Sequence, residues 1–207
     1  MAQENIHVVP HKVAGLIPMV NSFIAEGEDL VLIDTGLNDG SGRSIIKSLE
    51  ALNHRLSDVD LCIITHAHRD HVGGLRALKE TRPPFLVAAH DSEADDVEKE
   101  TGIEVDLRLI DGQTVGGFTI IYLPGHTLGS IALIRGGTLI AGDALNGGGA
   151  ELKGPNSMFS KDRELGKASV RTLAEFDFDR VLVGHGVGIE KGGKEALLRL
   201  IERMGEP

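Results

Sequence analysis

The sequence predicts a mixed α/β (α+β) fold with αββα layering, in which two β-sheets face each other and helices cover their outer faces. Each half of the chain contains several short apolar runs that end at glycine, proline or aspartate, as buried strands do. One or two segments with apolar residues at helical spacing close each half. No linker rich in proline, serine or charge separates the halves, so we expect one domain over residues 1–207.

In the first half, apolar periodicity and turn residues define the expected elements. We predict strands at residues 6–9, 20–25, 30–33, 61–65 and 85–89. We predict helices from residue 41 or 42 to about 52, at 75–79, and from residue 91 or 92 to about 100. The second and third strands are joined by a short turn, which is typical of a hairpin. In the first helix, Ile45, Ile46 and Leu49 recur at helical spacing.

The second half repeats this organisation. We predict strands at residues 107–110, 118–123, 131–135, 138–141 and 181–183, and helices at about 162–175 and 193–204. The dipeptide Gly136-Gly137 between two apolar runs indicates a β-hairpin. The glycine-rich stretch 146–160 is predicted to be an irregular loop.

Composition narrows the classes of partner. The net charge is −10 and there is no stripe of basic residues, which argues against nucleic acid as substrate. No apolar run approaches the ~20 residues of a membrane span, and the first residues lack the features of a signal peptide. We therefore expect a cytoplasmic protein with a small-molecule substrate, no nucleic acid and no membrane, and leave a homodimer open. The single cysteine, Cys62, is interpreted as a small buried apolar residue.

Metal-capable side chains are concentrated at one place, residues 65–71. His66, His68, Asp70 and His71 follow the apolar run 61–64 and precede two glycines. Such a run predicts a strand that opens into a loop, where a rigid sheet presents ligands. The spacing lets His66 and His68 reach one ion, while Asp70 and His71 point towards a second. Imidazoles and a carboxylate suit zinc, iron, manganese or nickel, and zinc is the commonest of these.

At this cluster the chain resembles a known family. The pattern His66-x-His68-x-Asp70-His71 resembles the signature of the metallo-β-lactamase superfamily of hydrolases. Four further matches follow the superfamily's order along the chain, at residues 32–36, 124–127, 141–143 and 183–186. The resemblance covers nearly the whole chain and implies the αββα fold of that superfamily. Small glyoxalase-II-like and lactonase-like members are the most similar branches.

The resemblance also implies a set of ligands for two divalent ions. One ion is expected to bind His66, His68 and His126, and the other Asp70, His71 and His185, with Asp143 bridging the two. Zn²⁺ is the expected metal, with iron or manganese as alternatives. The residues agree with this, because His126, Asp143 and His185 each follow a predicted strand in a glycine-containing turn. Asp34 is expected to support the ligands by hydrogen bonding.

Two such ions imply a hydrolytic mechanism. Ions ~3.5–4 Å apart lower the pKa of a bridging water towards ~7, so that hydroxide forms at neutral pH. Asp70 is the expected catalytic residue, because it can accept the proton of that water and pass it to the leaving group. The expected substrate is a small ester, lactone, thioester or phosphotriester. No Gly-x-Ser-x-Gly nucleophile motif is present.

The sequence differs from several branches of the superfamily, and these differences narrow the choice of branch. Exported β-lactamases carry a cysteine at the position of Asp143 or lack this acid, which is present here. Glyoxalase II adds a helical C-terminal domain, whereas only 22 residues follow His185 in this sequence. Superfamily nucleases carry large insertions or basic arms. His68 disagrees with the flavodiiron proteins, and Tyr122, the one tyrosine, does not match the lactonases' tyrosine near the metals. An oxidoreductase with a single iron, similar to persulfide dioxygenases, remains the alternative function.

Two loops are expected to roof the site, residues 10–19 and 145–160. Their apolar side chains suggest a partly apolar substrate pocket lined by Leu16, Met19, Met158 and Phe159. The four remaining histidines, His7, His11, His54 and His90, lack the context of ligands. We interpret His11 as a surface residue.

Overall fold

The computed structural model describes residues 5–12, 19–80, 83–149, 151–156 and 158–205. The chain divides into two compact units, Met1–Leu109 and Ile110–Pro207. Each unit has its own β-sheet and its own cluster of buried apolar side chains, which confirms the mixed α/β class. The prediction of one domain stays a prediction. Within the described residues, no helix has the length and apolar character needed to cross a membrane.

The first unit is built on a six-stranded sheet. Its strands are β1 (Ile6–His11), β2 (Val20–Ala25), β3 (Val31–Ile33), β4 (Leu61–Ile64), β5 (Leu86–His90) and β6 (Leu107–Leu109). They lie side by side in this order. The pairs β1–β2 and β2–β3 are antiparallel, whereas β3–β4, β4–β5 and β5–β6 are parallel. The carboxyl ends of β3, β4 and β5 therefore share one edge of the sheet.

Four helices accompany this sheet: α1 (Asp39–Ala51), α2 (Arg69–Val72), α3 (Leu75–Lys79) and α4 (Asp91–Thr101). Helix α1 begins two or three residues earlier than predicted, because Asn38 Oδ1 accepts hydrogen bonds from the backbone N–H groups of Gly40 and Ser41 at 2.9 and 3.3 Å. The single turn α2 was not predicted at all, since four residues are too few to show a helical period. A 3-10 turn lies at Leu56–Asp58.

The core of the first unit explains the apolar periodicity. Ile45 and Leu49 on α1 belong to the same buried cluster as Leu32 on β3 and Cys62 on β4, and all four have no exposed surface. Every residue of β3 and β4 is buried, as expected for parallel strands covered on both faces. Burial raises the pKa of the Cys62 thiol far above its usual range, so the thiol stays neutral and packs as an apolar side chain.

The second unit contains a five-stranded sheet and a small separate ladder. Its strands are β7 (Thr114–Val115), β8 (Phe118–Tyr122), β9 (Ile131–Arg135), β10 (Thr138–Ile140), β11 (Asn146–Gly147), β12 (Leu152–Lys153) and β13 (Arg180–Leu182), and its helices are α5 (Arg163–Thr172) and α6 (Gly193–Met204). The sheet order is β13-β10-β9-β8-β7, and β10–β13 is its one parallel pair within the described residues. A 3-10 turn at Leu173–Glu175 follows α5.

The prediction of an irregular loop over residues 146–160 was wrong in its first part. Asn146 pairs with Lys153 and Gly147 with Leu152, so β11 and β12 form a short antiparallel ladder. Leu152 is fully buried within the apolar cluster of this unit. Two-residue strands in a glycine-rich stretch show no alternation that sequence reading could detect.

Candidate metal centre

In the first unit, the predicted ligand cluster begins where two parallel strands end together. Strand β3 runs into Asp34, and the neighbouring strand β4 runs into Thr65 and His66. The backbone N–H of Asp34 donates to the carbonyl of Ile63 at 3.0 Å, which continues the pairing past the end of β3. The two segments are therefore adjacent although 31 positions separate Asp34 from Thr65.

Asp34 is the centre of a buried hydrogen-bond network. Its Oδ1 accepts from the backbone N–H of Thr65 at 2.8 Å, and its Oδ2 accepts from the Thr65 hydroxyl at 2.7 Å. Oδ2 also lies 2.7 Å from Nδ1 of His71. Because an ionised carboxylate only accepts, the His71 proton lies on Nδ1 and the ring's lone pair on Nε2. Asp34 thus sets the tautomer of a predicted ligand.

Thr65 extends this network to His66. The Thr65 hydroxyl donates its hydrogen to Asp34, so its oxygen accepts from Nδ1 of His66 at 3.1 Å. The lone pair of His66 then also lies on Nε2. Both Thr65 and His66 are buried, with 1% of their surface exposed. No role was predicted for Thr65.

The four ligand candidates of the first unit lie close together. The ring centroids of His66 and His68 are 4.7 Å apart, and those of His66 and His71 are 4.1 Å apart. Ligand atoms lie within 4.8 Å of one another in the pairs His66–His68, His66–His71 and Asp70–His71. Helix α2 creates this arrangement, because its single turn brings Asp70 and His71 back beside the residues that follow β4.

Close backbone packing holds α2 in place. The backbone N–H and the hydroxyl of Thr35 both donate to the carbonyl of His71, at 2.6 and 3.0 Å. A Cβ at Gly73 would lie 1.9 Å from the carbonyl oxygen of Leu37, and one at Gly74 would lie 2.2 Å from that of Thr35. Only glycine allows this approach of two backbone segments.

A second buried carboxylate orients the ligand loop from α4. Glu93 has 1% of its surface exposed, and its Oε1 accepts from the backbone N–H of Ala67 at 2.8 Å. Ala67 lies between His66 and His68, so this bond fixes the backbone that carries both rings. Glu93 lies within the helix predicted from residue 91 or 92 to about 100, and no role was predicted for it.

The second unit arranges its candidates in a similar way. The parallel neighbours β10 and β13 end together and lead into Asp143 and His185. The backbone N–H of Gly184 donates to the carbonyl of Gly142 at 2.9 Å, and Asp143 Oδ2 lies 3.3 Å from His185 Nε2. Gly186, at φ +85°, approaches Gly147 so closely that a Cβ would lie 2.3 Å from its carbonyl oxygen. The predicted glycine-containing turn is therefore sterically required.

His126 lies close to the same carboxylate. Its Nε2 is 3.4 Å from Asp143 Oδ2, and its Nδ1 is 3.4 Å from the Ser160 hydroxyl. Ser160 donates its own hydrogen to the carbonyl of Asn156 at 2.7 Å, so it can accept from His126 Nδ1. Gly125, at φ +133°, supports this turn, because a Cβ there would lie 2.2 Å from the backbone nitrogen of Gly166. Asp143 thus stands between two imidazoles that both direct Nε2 towards it.

These groups fit divalent metal ions. Divalent transition metals bind neutral imidazole nitrogens and carboxylate oxygens. Hydrogen bonds to Thr65, Asp34 and Ser160 hold the ring proton on Nδ1 in three histidines, so that Nε2 carries the lone pair for a metal. These histidines are His66, His71 and His126. Partner groups of this kind are what ligating histidines require.

The interpretation of His11 as a surface residue was wrong. His11 has 5% of its surface exposed, and its Nε2 lies 2.9 Å from the Ser22 hydroxyl on the paired strand β2. Burial is the main cause that lowers the pKa of His11 to about 4, and the nearby His71 ring acts in the same direction. His11 is therefore neutral at pH 7. Strand β1 ends at His11, two residues further than predicted, and this extension places the ring in the interior.

The other three histidines have roles outside the ligand groups. His7 and His54 both contact the carboxylate of Glu26, at 2.8 and 2.9 Å. His90 caps α4, because its Nδ1 accepts from the backbone N–H of Ser92 at 3.2 Å.

The predicted pocket residues are only partly described. Leu16 lies outside the described residues, as does most of the loop 10–19. Met19, Met158 and Phe159 have 39%, 82% and 63% of their surfaces exposed. Exposed apolar side chains of this size are compatible with a pocket rim, and their assignment to a substrate pocket stays a prediction.

Comparison with known proteins identifies the family of this chain. The profile of the metallo-β-lactamase superfamily matches residues 18–185. The uncharacterized protein YobT of Bacillus subtilis (strain 168) is 32% identical over 197 residues, which cover 81% of this chain and 83% of YobT. Hydroxyacylglutathione hydrolase of Alkalilimnicola ehrlichii is 32% identical over 154 residues, which cover 72% of this chain and 55% of the enzyme. This chain therefore spans about half the length of that hydrolase.

The fold is also found among solved structures. TTHA1623, solved in a di-iron-bound form, is 25% identical and superposes with a TM-score of 0.71, covering 90% of this chain and 96% of that one. The family profile, the relatives and the shared fold agree with one another. The chain belongs to the metallo-β-lactamase superfamily and has the fold of that superfamily.

Proposed function

We propose that this chain is a binuclear zinc-dependent hydrolase that cleaves a small ester, lactone, thioester or phosphotriester. Membership of the superfamily, with a hydroxyacylglutathione hydrolase among the relatives, supports the coarser description of a metal-dependent hydrolase. The observation that carries the proposal is the buried network of Asp34, Thr65 and His71. It fixes neutral imidazoles with their Nε2 atoms ready to bind a metal.

The proposed ligands are the seven side chains that the resemblance implies. One ion would be held by His66, His68 and His126, the other by Asp70, His71 and His185, and both by Asp143. Support comes from the close pairs within the first unit and from the position of Asp143 Oδ2 between two imidazoles in the second. Divalent ions at such ligands make water acidic enough to react at neutral pH and polarise the substrate oxygen.

The protein's own groups supply the proton transfer. Asp70 is half-buried at the first turn of α2, next to His71. In the proposal, its carboxylate accepts a proton from the attacking water and returns it to the leaving group, which is the role of a general acid–base. Asp34 and Glu93 would not touch the substrate. Asp34 fixes the ring of His71, and Glu93 fixes the backbone at Ala67.

The thioester is the bond to test first. An acylglutathione is a thioester, and one relative is named as a hydrolase of such a compound. The chain covers only 55% of that relative, so thioester hydrolysis is part of the proposal. A screen should compare acyl thioesters, lactones, aryl esters and phosphotriesters at equal concentration. Turnover of one class well above the others would assign the substrate, and no turnover of any class would contradict the proposal.

Metal analysis of protein purified without added metal tests the cofactor. The proposal expects about two zinc ions per chain, as in binuclear hydrolases. A single iron ion per chain, together with oxygen consumption, would instead favour the persulfide-dioxygenase-like alternative. A relative that holds two irons shows that this fold accepts iron, so metal content and activity should be measured on the same sample.

The ligand set has its own test. Asp143→Ala should release both ions and abolish hydrolysis, because the proposal gives both ions this ligand. His54→Ala is the matched control, since His54 contacts Glu26 and belongs to no ligand group. If the two variants retain equal amounts of metal, the assignment of Asp143 as a shared ligand is wrong.

A further inference from the structure

The first unit contains an open groove that the proposed hydrolysis does not use. Its volume is about 630 Å³, within the ~300–1,000 Å³ typical of small-molecule sites. The start of α1, the segment α2–α3 and the end of α4 form its walls. We call it the arginine groove, because three of its lining residues are arginines, Arg43, Arg69 and Arg76.

The arginine groove lies on a different face of α2 from the metal-ligand candidates. Gly73 and Gly74 both have right-handed helical backbone angles, so the backbone between α2 and α3 keeps a helical course. Along this segment Arg69, Gly73 and Arg76 line the groove at positions i, i+4 and i+7, which is one helical face. Asp70 and His71 are not among the lining residues.

The groove is positively charged in an acidic protein. Three arginines and two acids, Asp39 and Glu100, line it, which gives a local charge of +1 in a chain whose net charge is −10. Within the described part of the chain, neither Arg43 nor Arg69 forms an ion pair, whereas the exposed Arg108 pairs with Asp91 and Asp95. Two guanidinium groups are therefore available to a ligand.

The third guanidinium is held in place. Arg76 donates from Nε and Nη2 to the carbonyl of Thr101 at 3.3 and 3.0 Å. Thr101 is itself buried and donates from its hydroxyl to the carbonyl of Val97 at 2.7 Å. A guanidinium anchored in this way loses little conformational entropy when a ligand binds.

We propose that the arginine groove binds a small hydroxylated molecule that carries a phosphate group. Guanidinium groups on two different elements, α1 and α2–α3, suit a tetrahedral dianion, which accepts hydrogen bonds from several directions, better than a planar carboxylate. The carboxylates of Asp39 and Glu100 favour hydroxyl donors on the rest of the ligand and disfavour a simple polyanion. The backbone N–H groups of Gly40 and Gly73 already donate within the protein, so the side chains supply the recognition.

The test uses glycerol 3-phosphate as the probe and the metal-loaded protein. Titration is followed by the backbone amide NMR signals of Gly40 and Thr101, which line the groove, so binding at the metal ligands is not counted. The proposal expects these signals to shift and saturate in the millimolar range or below, a binding free energy of about −4 kcal/mol or better. No shift up to ~10 mM, a concentration that would reveal even weak binding, overturns it.

Two variants and a second compound make the result specific. Arg43→Gln should weaken binding about tenfold or more, as expected for loss of a charge-assisted contact. Lys47→Gln removes the same charge from the exposed side of α1 outside the groove and should leave affinity unchanged. Equal affinity in Arg43→Gln and wild type overturns the site. Glycerate, which carries a carboxylate instead of the phosphate, should bind much more weakly, and equal binding overturns the phosphate class.

Discussion

The Asp34 carboxylate lies 2.7 Å from Nδ1 of His71, and neither side chain has any exposed surface. The negative charge raises the basicity of the His71 ring, which strengthens Nε2 as a metal ligand. Asp34→Asn keeps the size of the side chain and tolerates the φ of +56° found at this position. We expect zinc affinity to fall about 10–100-fold, measured by competition with a chromophoric chelator. The exposed Asp29 offers a control in Asp29→Asn, and equal affinities in the two variants would contradict this role.

Thr65 transmits the same orientation to His66 and can be tested by isosteric replacement. Thr65→Val keeps the shape but leaves Asp34 and His66 without the hydroxyl between them. Loss of a buried hydrogen-bond partner typically costs about 1–3 kcal/mol, so the free energy of unfolding in urea should fall by that amount. Thr65→Ser restores the hydroxyl and should recover most of the loss. A serine variant as unstable as the valine variant would show that packing of the methyl group, and not the hydrogen bond, is what matters.

Asp70 is the candidate whose role is catalytic as well as structural. Asp70→Asn removes the negative charge and most of the basicity while keeping one ligand oxygen. We expect turnover to fall by about 10²–10⁴-fold, the range for a lost general acid–base, with zinc at the His66–His68 site retained. The loss should be largest for substrates with poor leaving groups, which need the proton most. If good and poor leaving groups lose rate equally while both metals stay bound, Asp70 is a ligand only.

Gly73 tests whether the close packing around α2 is required. A Cβ at this position would lie 1.9 Å from the Leu37 carbonyl oxygen, so Gly73→Ala should lower the free energy of unfolding by about 1–3 kcal/mol or more, as overpacking does. A Cβ at Gly137 would meet no atom within 4 Å, and Gly137→Ala should change stability by no more than about 0.5 kcal/mol. Chemical denaturation measures both. Similar values for the two variants would mean that the backbone moves apart without cost.

His11 predicts a pH dependence of stability. Its pKa is about 4 in the folded protein, lowered from 6.5, so between these values the unfolded chain binds a proton that the folded protein does not. The free energy of unfolding should therefore fall as the pH drops from about 6.5 to about 4, by a total on the order of 3 kcal/mol from this group. His11→Gln removes the titrating group, so the difference in stability between wild type and variant should change across this window. A constant difference would show that His11 is protonated in the folded state.

Local pattern singled out the ligand candidates because each follows an apolar strand in a glycine-containing turn, and their role as ligands stays a prediction. It could not reveal Thr65, whose role depends on the parallel pairing of β3 with β4 and so on a neighbour 31 positions away. Glu93 did leave a signal. It shares one face of α4 with Val97 and Thr101, at positions i, i+4 and i+8, and all three are buried, so an acid on the apolar face of an acidic helix was detectable.

Two other differences follow from the length of the elements. The turn α2 and the ladder β11–β12 contain too few residues for any period to appear, so tertiary contacts decide them.

His11 was misjudged because β1 was expected to end at Val9. Its pairing with β2 continues to His11 and Val20, which places the His11 ring beside Ser22 in the interior.

A designer who transplants the segment His66–His71 onto another protein would not transplant this site. The ring of His71 depends on a carboxylate from a different strand, and that aspartate adopts a left-handed backbone that few scaffolds provide at a strand end. The turn that carries His71 also needs a neighbouring loop able to touch Gly73 backbone to backbone. The smallest portable version of the His66–His71 cluster is therefore a pair of adjacent parallel strands with both of their exit loops.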